Sequence, residues 1–290
     1  VKEMEVLRKI LRQGAAFSGV ELLTYAVMGN HFHVLVRVRA AAREVSDAEL
    51  VRRYRVLYPK PNRFQMADGA AVELALRENG AEGQRIRAQL KARMGSVSEF
   101  MRTVKQRFSI WYNKSHERFG PLWSDRFKSV IVENDPVVVK TVAAYIDLNP
   151  VRAGLVEDPK DYRFCGYAEA LSGDALMQEG LRAVLGHASL EGVLSDYRML
   201  LFGKGSGRRR DGSGPAISQQ AVRTVMEGQG VLPMHTLLHQ RIRYFSDGVA
   251  IGTSLFVGQL IEEWSPKIGD RRKRKPKGVK GLKGISSFRR

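Results

Sequence analysis

Residues 20–38, VELLTYAVMGNHFHVLVRV, constrain the fold of this chain more than any other stretch. Gly29-Asn30 is a two-residue turn signal, because both residue types tolerate the positive φ that a tight hairpin demands. On either side of it, 20–28 and 31–38 read as strands. In the second, Phe32, Val34 and Val36 alternate with His31, His33, Leu35 and Arg37, the period of a half-buried strand. The two strands are expected to form a hairpin, in a chain of the α+β class. No run approaches the ~18 apolar residues of a membrane-spanning helix. A single cysteine, Cys165, excludes a disulfide framework and a cysteine-based zinc finger. The charged, amphipathic start has no signal-peptide core, which points to the cytoplasm, with the nucleoid as the site of action.

Helical spacing fills most of the remainder. Met4, Val6, Leu7, Ile10 and Leu11 give 3–13 an amphipathic helix. Residues 42–95, rich in Arg, Glu and Ala, read as a helical insertion with stretches near 47–57 and 70–94 and a break at Tyr58-Pro59-Lys60-Pro61. Ser98 is expected to cap a helix over 98–116, with Phe100, Met101, Val104, Phe108 and Trp111 on one stripe. Residues 122–133 read as a third strand. Asp135-Pro136 is a helix start, with Asp as N-cap and Pro in the first turn, and that helix ends before Pro150. Residues 161–200 read as helices broken at Gly173 and Gly186. The expected organisation is a main domain over 1–172 and a helical extension over 173–202. A flexible linker follows at 203–214, then a small helical module at 215–265 and a disordered basic tail at 266–290. The module reads equally as a helix-turn-helix accessory and as a packing hairpin.

Charge narrows the partner. The net charge is +18, and residues 271–290 hold ten Lys or Arg and no acid. A polyanion is the natural partner of such a chain, and nucleic acid is the commonest polyanion. The tail is expected to add sequence-independent, salt-sensitive affinity.

Two short motifs carry chemistry. In His31-Phe32-His33 the period of two puts both imidazoles on one face of a strand, where they can share a divalent ion. In Tyr145-Ile146-Asp147-Leu148-Asn149-Pro150, Tyr145 and Asn149 lie four apart and share one face of a helix end. Singly, each has a plainer reading: surface histidines, a helix aromatic, a cap before proline. Jointly, His31, His33 and Asn149 could hold a metal that polarises a phosphodiester, and Tyr145 could attack phosphorus. A phenol has an ordinary pKa near 10, so Tyr145 needs neighbouring charge or a proton acceptor.

Three blocks in order, MGNHFHVLV (28–36), FGPLWSDRFKS (119–129) and YIDLNPVRAGLV (145–156), followed by Tyr162-Arg163, resemble the single-tyrosine HUH transposases. Within them the likeness is to the REP-associated branch of single-strand insertion-sequence transposases. It covers roughly 1–172. It implies a ferredoxin-like antiparallel sheet with helices on one face. It also implies Mg²⁺ or Mn²⁺ on His31, His33 and Asn149, and a 5′-phosphotyrosyl link between Tyr145 and single-stranded or hairpin DNA. Imidazole ligands lean toward Mn²⁺. A homodimer is a further expectation, and a membrane partner is not expected.

The chain departs from the family in its longer insertion and in opening directly on a helix, with no stretch ahead of it for the family's first strand. The expectation is therefore a sheet short of one strand, built from about 20–28, 31–39 and 122–133, with an open edge at 31–39 and a functional start upstream. That departure also supports an alternative, a non-catalytic or truncated DNA-binding relative on the same scaffold. A relaxase or replication initiator shares the H-x-H and tyrosine chemistry, but the YIDLNPVRAG block argues against it. For strand binding, Arg126 and Lys128 share one face of 122–133 near Trp123, a cationic groove with a base-stacking platform. Lys105, Arg107 and Lys114 are expected to extend it, and Arg152 to approach phosphate or to bond the carbonyls of the preceding helix.

Overall fold

The structure is a computed structural model that describes residues 1–40, 44–59, 68–186, 190–205, 217–227, 248–268, 275–278, 284 and 286–289. The expected linker from 206 on, and the stretch 228–247 of the expected C-terminal module, lie outside the described residues. The fold is α+β and mostly helical, with a two-stranded antiparallel sheet and a second, mixed sheet. The chain divides into two compact units, Val1–Leu22 with Val36–Arg126 and Leu23–Leu35 with Phe127–Arg290. Among the described residues no helix is long and apolar enough to cross a membrane.

In the first unit, α1 (Lys2–Ser18) ends in a left-handed Gly19, and α5 (Val97–Ser115) packs against it. They approach closely at Gly14, where a β-carbon would stand 3.1 Å from Val104 Cγ2. The insertion is a layer of three helices, α2 (Asp47–Leu57), α3 (Gly69–Glu78) and α4 (Ala81–Lys91). Leu50, Val51, Leu57, Val72, Leu76 and Leu90 from this layer form one core with Phe17 of α1. The insertion thus completes the cover over α1. The stretch read as one helix over 70–94 is two, because Asn79 adopts a left-handed turn between them. Helix α5 is capped by Ser96, whose hydroxyl accepts from the Glu99 amide, and Ser98 lies inside the helix.

In the second unit, β1 (Glu21–Val27) and β2 (Phe32–Arg37) form the expected hairpin, closed by Met28 N–H on the His31 carbonyl at 2.8 Å. The unit boundary crosses both strands, so their open end belongs to the first unit. β1 is buried along almost its whole length, and the amide of Val27 bonds the Phe164 carbonyl. Among the described residues, β2 pairs in the sheet with β1 alone.

The third strand does not join this hairpin. Only Ile131–Val132 (β3) of the expected 122–133 is strand, and it pairs in parallel with β4 (Gly248–Gly252). Residues 121–130 make no ladder: the Arg126 amide turns onto Asp125 Oδ1 and the Trp123 indole donates to the Lys105 carbonyl. Local side-chain bonds of this kind compete with strand pairing.

Helix α6 (Pro136–Asp147) starts as expected at Asp135, whose carboxylate accepts from the amides of Val137 and Val138. The one-turn α7 (Asn149–Arg152) follows directly. The helical extension is α8 (Gly166–Leu171), α9 (Ala175–Leu185) and α10 (Leu190–Gly205), with Gly186 in a left-handed C-cap. Beyond α11 (Gln219–Met226) and β4 come α12 (Ser254–Ile268), β5 (Lys277–Gly278) and β6 (Ser286–Arg289). Strand order in this sheet is β3-β4-β6-β5. The tail expected to be disordered therefore supplies two strands. Its Phe288 is buried with Ala250, Val257 and Ile261, enough apolar surface to order a basic segment.

Candidate functional site

The hairpin and helix α6, far apart in sequence, meet within the second unit. The His31 and His33 rings are 5.1 Å apart and nearly perpendicular. The His33 ring stands 6.1 Å from the Tyr145 ring, again edge to face. On the histidine side of the strand, Leu35 is buried, His33 half-buried and His31 exposed. Burial lowers the pKa of both imidazoles, and that of His33 falls to about 4 with His31's charge contributing. Both rings are therefore neutral near pH 7, the form that binds metals. His31 Nδ1 faces Asn30 Oδ1 at 2.7 Å, so the tautomer protonated at Nδ1 donates to that oxygen and keeps Nε2 for a metal.

Asn149 closes the end of α6. Its Nδ2 donates to the carbonyls of Tyr145, at 3.0 Å, and Ile146, at 3.1 Å. The cap is thus real, and it occupies the Asn149 nitrogen, leaving Oδ1 as its acceptor atom. Neutral imidazoles and an amide oxygen are a mixed donor set, and the imidazoles favour first-row ions such as Mn²⁺ over Mg²⁺. Among the described residues no three His, Cys, Asp or Glu side chains cluster for a metal, so the amide is needed to make a set of three. Tyr145 is only 3% exposed. The Arg152 guanidinium carbon stands over its ring, 4.6 Å from the centroid.

The expected strand-binding residues divide between the units. Lys105, Arg107, Trp123 and Arg126 belong to the first, Lys128 and Arg152 to the second. Lys105 Nζ bonds the Asp125 carbonyl at 2.7 Å and lies 5.4 Å from the Trp123 ring centroid. Trp123 is half-buried against Phe108. Arg107 is half-buried beside Tyr58, and its pKa is lowered by desolvation, so it faces the helical layer. Arg126 and Lys128 are exposed.

Two buried charges that sequence reasoning passed over lie on α6 and α10. Asp147 is fully buried and accepts from Thr24 Oγ1 at 2.8 Å, Tyr197 O–H at 2.6 Å and the Tyr167 amide at 3.0 Å. It ties β1, α8 and α10 to the turn that holds Tyr145 and Asn149. Gly166 permits this, since a β-carbon there would strike Thr24 Oγ1 at 2.1 Å. Desolvation outweighs the donors and raises the Asp147 pKa to about 6. Lys204, in the last turn of α10, is 3% exposed and donates to Thr141 Oγ1 at 2.5 Å. Burial, then the charge of Arg152, bring its pKa down to about 7. A carboxylate in the apolar run AAYIDL was a readable signal for Asp147. No local signal marks Lys204, whose partner lies 63 positions away.

Comparison of the chain with known protein families, with curated proteins and with solved structures finds no match. The functional reading rests on the three sequence blocks and on this geometry.

Proposed function

We propose that this chain is a metal-dependent single-strand DNA transposase or endonuclease that cuts and rejoins through a 5′-phosphotyrosine at Tyr145. One observation carries the reading: the His33 ring lies 6.1 Å from the Tyr145 ring, so the H-x-H strand and the tyrosine helix form one site. The Tyr145 oxygen attacks phosphorus and forms a P–O bond. The bond to the 3′ oxygen breaks, and that strand leaves with a 3′ hydroxyl once it has taken a proton. Attack by another 3′ hydroxyl on the phosphotyrosine reverses the step and rejoins DNA, with no external energy source. A divalent ion held by His31, His33 and Asn149 would supply Lewis acidity to the phosphodiester. The neutral imidazoles keep those positions open to it, and Asn149 keeps Tyr145 and the amide oxygen in register at one helix end.

The net charge of +18 supports single-stranded or hairpin DNA as partner, and with it a cytoplasmic, nucleoid-associated protein acting as monomer or homodimer. A ferredoxin-like arrangement remains part of the proposal. The alternative, a non-catalytic DNA-binding relative, is favoured by one observation, the 3% exposure of Tyr145. Labelled hairpin oligonucleotides with Mn²⁺ separate the two. The expected result is a covalent adduct on denaturing gels, abolished in Tyr145→Phe with DNA binding retained. No adduct with any strand would leave the binding reading. An adduct that survives Tyr145→Phe would remove Tyr145 as nucleophile.

A further inference from the structure

The end of α5, in the first unit, carries a chain of rings that the Tyr145 site does not use. Trp123 packs on Phe108 with centroids 5.7 Å apart, and Phe108 on Trp111 at 5.8 Å. Trp111 meets Tyr112 at 6.5 Å, and Tyr112 meets His116 at 4.2 Å. Phe108 is buried at the root of this chain, Trp111 and Tyr112 are half-buried, and His116 is exposed beside Glu3, 3.3 Å away. The turn after the helix is fastened to the same end. The Arg118 amide donates to the Asn113 carbonyl and Asn113 Nδ2 to the Gly120 carbonyl, each at 2.9 Å. Phe119 lies between those two bonds, so it is fixed at the helix end, with 95% of its surface exposed. Glu117 enters the turn at a left-handed φ of 50°. A left-handed non-glycine residue and an uncovered phenyl ring each cost stability, and the turn maintains both. The surroundings are cationic. The Arg118 guanidinium carbon is 5.9 Å from the Tyr112 centroid, and Lys105 Nζ is 5.4 Å from that of Trp123. Between 105 and 126, Lys105, Arg107, Lys114, Arg118 and Arg126 outnumber Glu117 and Asp125. Accessible rings interleaved with cations complement a partner that alternates flat bases with anions, as an unpaired nucleic-acid strand does. An apolar protein surface would leave the cations unmatched.

We propose that Phe119 and Trp111 form a stacking platform for unpaired bases of single-stranded DNA, with Arg118 and Lys114 meeting the phosphates. This deepens the reading of single-stranded or hairpin DNA as partner and rests on it, and it does not require Tyr145 to be a nucleophile. It adds to Trp123 two rings that sequence reasoning gave no role in strand binding. The rings supply affinity for bases of any identity, because every base has a flat face.

The test compares a labelled thymidine oligonucleotide with an abasic strand of the same length, each bound by the full chain in the presence of a chelator. Both strands carry the same phosphates, so the difference in affinity reads the bases alone, and the basic tail cancels. Wild type should bind the thymidine strand at least about tenfold more tightly. Phe119→Ser, at an exposed position that folding does not depend on, should lose most of that preference. Phe119→Trp should restore it, and Phe119→Leu, apolar without a flat face, should not. Trp111→Leu should lose it as well. Phe119→Ser should leave the dependence of log affinity on log salt unchanged, whereas Arg118→Gln should flatten its slope by about 0.7, one phosphate contact on a single strand. Equal affinity of wild type for the two strands would overturn the platform and leave DNA as partner. So would a base preference that survives both Phe119→Ser and Trp111→Leu. No binding of either strand at low salt would remove DNA and the platform together. Self-association abolished by Phe119→Ser, with base preference intact, would overturn the platform and assign the ring to contact with a second copy of the chain.

Discussion

The helical layer α2–α4 and the helices α6–α10 handle charge in opposite ways. In the layer, charges pair on the outside: Glu49 holds Arg52 at 2.6 Å and Arg53 at 2.7 Å, and Arg87 reaches Asp47 at 2.7 Å. Beneath them the layer is apolar. Among α6–α10 the polar groups are inside, with Asp147 and Lys204 both buried. Surface pairs stabilise little and tolerate change, because water screens them and both partners remain solvated if separated. Buried polar groups stabilise only when every partner is present, and they fix geometry when it is. The layer is therefore a cover, while the α6–α10 region is a positioning frame for one turn of helix.

The largest effect should come from breaking that frame at its centre. Asp147→Ala strands the donors on Thr24, Tyr197 and the Tyr167 amide inside the protein, and should cost about 4 kcal/mol in denaturant unfolding. Tyr197→Phe removes one donor and keeps the carboxylate, so about 1 kcal/mol is expected. A loss below about 1 kcal/mol for Asp147→Ala would break the comparison, because the frame would then behave like the cover.

A smaller effect, dependent on pH, comes from the site itself. His33 is held at about 4, below the ordinary 6.5, so its neutral form is favoured in the folded state. Its contribution is intact above pH 6.5 and is lost as pH falls through about 4, by at most about 2 kcal/mol once partial exposure is allowed for. Asp147 runs the other way. Its pKa of about 6 lies above the ordinary 3.8, so the fold takes up a proton first and gains as pH falls from about 6 toward 3.8. The two oppose each other over one window. With a chelator present, His33→Gln should become more stable relative to wild type as pH drops from 7 to 4.5, and Asp147→Asn less stable. Parallel pH profiles for all three proteins would show that neither group is desolvated as the structure has it.

These residues also mark how far the sequence could be read. The hairpin was legible because Gly29-Asn30 and the alternation beside it are local signals, as was the start of α6 at Asp135-Pro136. The N-cap of α5 was legible too, since Ser96 with Glu99 three residues on is a capping box, but Ser98 distracts from it. The partner of β3 was not, because β4 lies more than a hundred residues later and nothing near 131 announces it. Phe288, like Val279, Leu282 and Ile285, was an apolar clue in a tail whose charge dominated the reading. At the site, the motifs supplied His31, His33, Tyr145 and Asn149. Lys204 emerged only from tertiary contact, since a lysine near a glycine-rich stretch reads as solvent-facing.

The smallest effect should come from the cover, at its best-formed ion pair. Glu49 is held at about 2, first by the hydrogen bond from Arg52 and then by that from Arg53. Taken at face value, a shift of that size would be worth about 3 kcal/mol. The carboxylate stands at the surface, though, with Arg52 largely exposed, so screening brings the expected contribution to about 0.5 kcal/mol. The sign follows from the depressed pKa: the contribution is present above pH 4.5 and fades as pH falls through about 2. Glu49→Gln keeps the backbone amide that bonds Ser46, so the cap of α2 survives and the charge alone is removed. The variant should unfold within about 1 kcal/mol of wild type at pH 7, and the gap should shrink in high salt. A gap above about 2 kcal/mol that salt leaves unchanged would place Glu49 with Asp147, as part of a frame that the exposed surface of α2 does not reveal.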